Sequence, residues 1–204
     1  MKFLLAAVNA KYIHSNPAIY SLRACVEEEL RPLVETAEYT INQQMQEILA
    51  DLYGQQPDAV GFSCYIWNWS MIRRLIVELK KLLPETDIWL GGPEVSYDAD
   101  GVLKEFPQLT GIMVGEGEET FRELMRRYAQ AVIAENAVQQ DRSMVCGSRD
   151  GQGDTFREIA GLCLSSGYTA PRALTDLGRI PFLYENLDSF SNKILYYESS
   201  RGCP

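Results

Sequence analysis

The chain has 204 residues, of which 28 are acidic and 19 are basic, giving a formal net charge of −9. A composition of 46% apolar and 23% charged residues is typical of a folded domain and excludes a disordered chain, a collagen-like repeat and a disulfide scaffold. The negative charge argues against general binding to nucleic acids or anionic membranes, because both partners carry phosphates that basic side chains must neutralise.

The first strand of the fold is predicted at residues 2–8. Its apolar run is far shorter than the ~20 residues of a membrane-spanning helix. A signal peptide is the alternative, but Asn9, Lys11 and His14 interrupt the run and no clean cleavage site follows. The cysteines are odd in number and form no C-x-x-C pair, which indicates reduced thiols and a cytoplasmic location. They are Cys25, Cys64, Cys146, Cys163 and Cys203.

Strands and helices then alternate along the first 130 residues. Further strands are predicted at 33–41, 58–64, 87–90 and 111–114, each a short apolar run. A first helix begins at Pro17 after the capping pair Ser15-Asn16, with Ile19, Leu22, Val26 and Leu30 inward. A second begins at Asn42 and ends at Gly54. A third spans 70–83, with Ile72, Leu75, Ile76, Leu79 and Leu82 inward. A short helix at 98–106 and a fifth after Gly117 complete the series.

This alternation predicts an α/β fold, in which a doubly wound, five-stranded parallel sheet carries helices on both faces. The expected topology is flavodoxin-like, a Rossmann-like arrangement with strand order 2-1-3-4-5. Residues 1–130 form this domain, and 131–157 are predicted to be a linker. Segments 158–164 and 168–172 flank Ser165-Ser166-Gly167 and predict a small β-hairpin extension. One more strand is expected at 194–198.

Four loops at the carboxyl ends of the strands are the candidate ligand site, because parallel sheets bind ligands there. They span 9–17, 63–69, 91–96 and 115–120. Gly91-Gly92 either lets backbone approach a ligand or makes a tight turn. Tyr65, Trp67 and Trp69 either pack on a planar cofactor or partner, or cover the sheet.

Two groups of ionisable residues are weaker candidates. His14 is either a ligand or a polar residue beside a helix, and no second histidine supports a zinc site. Glu116, Glu118 and Glu119 lie at a helix start, where the helix dipole stabilises carboxylates. Either all three are solvated side chains at the start of the helix, or Glu116 contacts a ligand. The sequence contains no phosphate-binding P-loop and no nucleophile elbow.

An ordered series of motifs carries a family resemblance. The series is Gly91-Gly92-Pro93-Glu94, then Gly115-Glu116-Gly117-Glu118-x-Thr120, Gly161-Leu162, Asp176-Leu177-x-x-Ile180-Pro181-Phe182, and Ser199-Ser200-Arg201-Gly202-Cys203-Pro204. It resembles the N-terminal half of radical S-adenosylmethionine (SAM) proteins that contain a cobalamin-binding domain. In that family a flavodoxin-like domain precedes a radical barrel, whose first strand ends in S-R-G-C-P.

The resemblance implies that Cys203 begins a C-x3-C-x2-C motif. That motif holds a [4Fe–4S] cluster, to which SAM binds. The sequence stops one residue after Cys203, so residues 158–204 are expected to be the hairpin extension and the first barrel strand of a longer protein. One thiolate cannot hold a cluster. Cys203 is therefore a metal ligand only in the full-length protein, and the fragment is expected to be catalytically inert.

The resemblance also implies a cobalamin site. The classical D-x-H-x-x-G motif is absent from loop 9–17, as is common in the radical family. Carried over by position, Ser63 contacts the nucleotide tail of the cofactor, and Gly91 and Gly92 let that tail pass close to the backbone. Tyr65 stands where the family has a smaller residue and narrows the channel for the tail. The predicted cofactor-binding residues are Asn9, Tyr12, Ser63, Tyr65, Gly91, Gly92, Pro93, Glu94, Gly115, Glu116 and Gly117.

The expected function is therefore binding of cobalamin in support of radical methylation or a related radical reaction, with the chain's own radical barrel as its partner. The alternative is a cobalamin-free domain of the same fold that serves the barrel as a docking or substrate-recognition module. A free-standing response-regulator-like domain is a third possibility, but Asn9 and Lys11 stand where that class has acidic residues. Substrate and reaction stay open.

Overall fold

A computed structural model describes residues 1–140 and 156–201 of the chain. The predicted alternation of strands and helices is present, because continuous apolar runs form strands that are buried on both faces. The strands are β1 (Phe3–Asn9), β2 (Val34–Thr40), β3 (Ala59–Ser63), β4 (Asp87–Gly91), β5 (Gly111–Met113), β6 (Leu162–Leu164) and β7 (Gly167–Tyr168). The helices are α1 (Pro17–Cys25), α2 (Met45–Gln55), α3 (Trp69–Leu82), α4 (Pro93–Ser96), α5 (Ala99–Glu105) and α6 (Glu118–Gln140), and short 3₁₀ turns occur at Arg31–Leu33, Leu177–Arg179 and Leu187–Phe190.

The seven strands form one sheet in the order β2-β1-β3-β4-β5-β6-β7. The first five strands are parallel and follow the predicted order 2-1-3-4-5. β6 and β7 are antiparallel and continue the sheet beyond β5, with Ile112 opposite Cys163. The prediction of a five-stranded sheet is therefore wrong in strand number, because the hairpin pairs with the free edge of β5.

Two apolar layers hold the helices on the sheet. Leu4, Ala6 and Val8 of β1 point to one face, where they lie in the same cluster as α2, α3 and α5. Phe3 and Leu5 point to the other face, which α1, α6 and residues 156–164 cover. Alternate residues of one strand thus serve both layers, as a doubly wound fold requires.

Several predicted boundaries are wrong. Gly54 lies inside α2, which ends at Gln55 and is followed by Gln56 in a left-handed conformation (φ 47°). Helix α1 ends at Cys25, before Val26 and Leu30. Residues 194–198 form no strand, and Ile194 makes only an isolated bridge to His14. Helix α6 continues to Gln140, into the range predicted as a linker.

No helix within residues 1–140 and 156–201 combines the length and apolar character needed to cross a membrane. Cys146 and Cys203 lie outside the described residues.

Candidate functional site

A cavity of about 690 Å³ lies at the carboxyl ends of β1, β3, β4 and β5. One wall is formed by these strand ends and by the first turns of α1. The opposite wall comes from residues 175–201, which we call the covering segment. The strand-end and loop residues of the lining include Ser63, Tyr65, Gly91, Gly92, Pro93, Met113, Gly115, Glu116, Gly117 and Glu118, and the covering segment contributes Leu177, Ile180, Pro181, Leu183 and Tyr196 to Arg201.

Two glycines shape the sheet side of the cavity. Gly92 has φ +107°, and a Cβ atom there would lie 2.5 Å from the carbonyl oxygen of Cys64. The turn after β4 thus packs directly on the end of β3. Gly115 has φ +79°, and its missing Cβ would meet no atom within 4 Å. Because Gly115 lines the cavity, its backbone is accessible to a bound molecule.

The polar side of the cavity is built around Asn16 and Ser63. Asn16 is 4% exposed, and its Nδ2 donates to the Ser63 hydroxyl and to Asn9 Oδ1, both at 3.3 Å. Asn16 Oδ1 is buried and accepts no hydrogen bond. An unsatisfied buried acceptor is costly in a folded protein. Asn16 itself is not in the cavity lining, so its role there is to hold the lining residue Ser63 through the hydrogen bond to its hydroxyl.

The three clustered aromatic residues divide between two environments. Tyr65 lines the cavity and stacks on Trp67, with ring centroids 4.4 Å apart and an interplanar angle of 6°. Burial raises the pKa of Tyr65, so its phenol is neutral at physiological pH. Trp69 instead packs edge-to-face on Phe106, against the core. Trp69 thus covers the sheet, while Tyr65 faces the cavity.

The charged side of the cavity contains Arg201 and three carboxylates. The guanidinium lies 2.8 Å from Glu118, 2.7 Å from Glu198 and 3.5 Å from Glu116. Burial alone would raise the pKa of Glu118, but hydrogen bonds from Arg201, from its own backbone amide and from Ser21 bring that pKa below its ordinary value. Glu118 is therefore an ionised carboxylate at neutral pH, although its side chain is only 7% exposed.

Contacts near α1 and β2 hold the middle of the covering segment, around residues 184–194. The Ile194 amide donates to the Ile13 carbonyl at 2.6 Å, and the Ser15 amide donates to the Ile194 carbonyl at 3.1 Å. Tyr184 is 4% exposed, and its hydroxyl lies 3.1 Å from the Ser15 hydroxyl, at hydrogen-bond distance. Lys193 pairs with the nearly buried Glu38. The covering segment is thus bound to the domain on both sides of the cavity.

The structure brings most of the predicted site residues together. Those that line the cavity are Ser63, Tyr65, Gly91, Gly92, Pro93, Gly115, Glu116 and Gly117. Asn9, Tyr12 and Glu94 are not in the lining. The Asn9 side chain is buried and donates to the His14 carbonyl and to Glu38, so it holds loop 9–17. Tyr12 is 70% exposed, and the Glu94 amide donates to the Cys64 carbonyl at 3.4 Å.

His14 pairs through Nδ1 with the Tyr196 hydroxyl. Across residues 1–140 and 156–201, no group of three His, Cys, Asp or Glu side chains is placed to hold a metal ion. The residues of α1 and of the covering segment that line the cavity were not among the site residues predicted from the sequence. Two sequence features could have pointed to them, the motif Asp176–Phe182 and the arginine before Gly202. Both support the family resemblance, and both contribute residues to the cavity lining.

Comparison with known families agrees with this geometry. The family model described as "B12 binding domain" matches residues 4–125, more than half of the chain. The chain belongs to the B12 binding domain family. The resemblance stated above is thereby confirmed for this domain, and cobalamin is the cofactor for which the family is named.

Two curated relatives share 31% identity with part of this chain. One is "Cobalamin-dependent radical SAM methyltransferase TokK" of Streptomyces tokunonensis, matched over 70 residues. The other is "2-(S-pantetheinyl)-carbapenam-3-carboxylate methyltransferase" of Streptantibioticus cattleyicolor, matched over 81 residues. The matches cover 34% and 40% of this chain but only 10% and 12% of the relatives. The chain thus corresponds to a small part of each relative.

Solved structures of the cobalamin-dependent SAM radical enzyme OxsB share the fold. The apo form superposes with a TM-score of 0.63 and 16% identity, covering 99% of this chain and 26% of OxsB. The form with aqua-cobalamin and SAM gives 0.56 and 15%, covering 84% and 22%. The predicted α/β fold class is thereby confirmed.

Proposed function

We propose that this chain binds cobalamin in the cavity at the carboxyl ends of its parallel strands. The observation that carries the proposal is the position of this cavity, which lies where parallel sheets bind their ligands, within a domain of the B12 binding family. The cavity also leaves space beside Tyr65. The Tyr65 ring stacks on the exposed Trp67, and Ser63 and Gly91 lie in the same lining.

The residues present fit the chemistry of this cofactor. The Ser63 hydroxyl, held by Asn16, can bind polar groups of the nucleotide tail, and Gly91 carries no side chain that would obstruct the tail. Gly115, which has no side chain, and the apolar side chains of α1 form a part of the wall without protruding polar groups, which suits a flat ring. Bound cobalamin supplies methyl transfer or one-electron chemistry. The chain's own residues orient the cofactor and exclude water from one of its faces.

We further propose that the domain belongs to a radical SAM enzyme. The two methyltransferase relatives support this assignment, as does the terminal Ser199-to-Pro204 motif. In this proposal residues 1–130 together with the β6–β7 hairpin carry cobalamin, 131–157 connect these two parts, and the residues after the hairpin lead into the radical barrel. Cys203 is the first ligand of a [4Fe–4S] cluster that binds SAM, and the reaction is a radical methylation or a related step in the cytoplasm.

The test is a titration of residues 1–204 with hydroxocobalamin, followed by absorbance and calorimetry. We expect micromolar binding, about 8 kcal/mol. Gly91→Leu places a side chain at the cavity wall without a backbone clash, since a Cβ there lies at an ordinary 3.7 Å from Met113. We expect this variant to bind at least about tenfold more weakly.

The matched control is Gly54→Leu, because Gly54 is exposed on α2 and a Cβ there meets nothing within 4 Å. This variant should bind as the wild type does. Two results would contradict the proposal: a wild-type chain that does not bind hydroxocobalamin, or a Gly91→Leu variant with unchanged affinity.

The second candidate function is a cobalamin-free docking module, and exposed apolar surface near the cavity favours it. Trp67 is 45% exposed, Ile66 80% and Tyr197 71%. Such surface on a soluble domain commonly marks contact with a partner. A wild-type chain without cobalamin binding in the titration would favour this function over the first.

A further inference from the structure

Arg201 joins the covering segment to the β5–α6 connection, at the opposite side of the cavity from the Ile194 and Tyr184 contacts. Its guanidinium donates to Glu118 at 2.8 and 3.2 Å and lies 3.5 Å from Glu116. Both carboxylates line the cavity. The Arg201 contacts are thus a direct bond between the two walls of the cavity.

The partners of Glu118 make this bond specific. The Glu118 side chain is 7% exposed, and besides Arg201 it accepts a hydrogen bond from the Ser21 hydroxyl at 3.0 Å. Removing the guanidinium would leave an ionised carboxylate in a nearly buried position, with only the Ser21 hydroxyl and its own backbone amide as neutral donors. A buried charge that loses its partner is strongly unfavourable. Water would have to reach Glu118, and the covering segment would have to separate from the β5–α6 connection to admit it.

Glu116 reinforces the same closure from the start of the covering segment. Its carboxylate accepts a hydrogen bond from the Thr175 amide, while its other contact is with Arg201 at the far end. The first and last residues of the covering segment therefore meet on neighbouring carboxylates of one connection. Loss of Arg201 would free the last residues of the segment, which include the cavity-lining Tyr197 and Glu198.

We propose that Arg201 is a positioning residue that holds the covering segment closed over the cavity and so slows the release of bound cobalamin. The inference rests on the proposed function. It assigns to the arginine of the terminal motif a role within this domain. A ligand in the cavity loses one wall when the segment separates, so the dissociation rate is the quantity that Arg201 controls.

The test compares hydroxocobalamin dissociation from residues 1–204 in the wild type and in three variants, with stopped-flow absorbance and an excess of a cobalamin-trapping protein. Arg201→Met keeps the length of the side chain without its charge and should dissociate about tenfold faster or more. Arg201→Lys keeps the charge without the planar fork and should recover part of the difference. Arg179→Met is the control, because Arg179 is 82% exposed on the same segment and contacts Asp176.

Amide hydrogen exchange separates positioning from general stability. In Arg201→Met, amides of residues 175–201 should exchange faster, while those of β1, β3 and β4 should be unchanged. Faster exchange in the sheet as well would show that Arg201 supports the whole fold, and would overturn the inference. Unchanged dissociation, or slower dissociation, in Arg201→Met would also overturn it. If the wild type itself does not bind hydroxocobalamin, the proposed function fails; if the wild type binds and Arg201→Met releases at the same rate, only the inference fails.

Discussion

Gly92 determines whether the ends of β3 and β4 can lie together at the cavity. Its φ of +107° and the 2.5 Å approach of a Cβ atom to the Cys64 carbonyl exclude any side chain without backbone movement. We expect Gly92→Ala to lower the free energy of unfolding by about 3 kcal/mol, from backbone strain and the clash together. Urea denaturation measures this loss.

The control for Gly92→Ala is Gly54→Ala, at an exposed position inside α2. Alanine favours a helix over glycine, so this variant should gain about 0.5–1 kcal/mol. An unfolding midpoint of Gly92→Ala equal to that of the wild type would show that the turn relaxes freely, and would contradict the prediction.

Some residues of the site can be predicted from the sequence, and others cannot. Ser63, Gly91 and Gly115 could be predicted because each follows a strand, and parallel strands bring their carboxyl ends to one edge. Arg201 could not, because its partner Glu118 lies 83 residues away and is chosen by the path of the covering segment. Tyr12 is 70% exposed and lies outside the cavity lining, since position in a loop does not determine the direction of a side chain.

Helix α3 packs one apolar face on the core. Leu79 is fully buried, whereas Leu82 is 45% exposed. We expect Leu79→Ala to cost about 3 kcal/mol, through lost burial and a cavity, and Leu82→Ala to cost less than about 1 kcal/mol. Paired urea denaturation of the two variants measures the difference. Equal losses would mean that α3 is rotated relative to the sheet.

The stripe itself was predicted correctly up to Leu79. Leu82 and Leu83 follow Leu79 by three and four residues, so both fit the helical period, and the pattern alone does not show which of them is buried. The structure buries Leu83, at 8% exposure, because the chain leaves the helix there and turns toward β4. The strand predicted at 194–198 is absent for a related reason. Their apolar run fits a strand, but only Ile194 finds a neighbouring backbone, in loop 9–17.

At the scale of the whole molecule, the sheet does not end where its parallel part ends. β6 spans only Leu162–Leu164, too short for a periodic signal, and nothing in the sequence shows which edge it joins. The structure places it on β5, where Phe156 packs edge-to-face on Trp89 at 5.2 Å. Trp89 and Tyr128 are thus covered in part by residues that lie beyond the predicted domain boundary at 130.

This packing predicts the outcome of two truncations. A chain of residues 1–130 loses Phe156, Ile159 and the β6–β7 hairpin, which exposes Trp89 and leaves the β5 edge unpaired. We expect it to aggregate or to unfold at lower urea concentration, because unpaired edges and exposed aromatic surface favour association. A chain of residues 1–174 keeps these contacts and the Arg172–Glu123 ion pair, and should stay folded and monodisperse. Size-exclusion chromatography and urea denaturation of both chains measure this difference. Equal stability of the two would show that the hairpin is an appendage outside the cooperative unit, whereas the expected loss would place the boundary of the folded domain after residue 172.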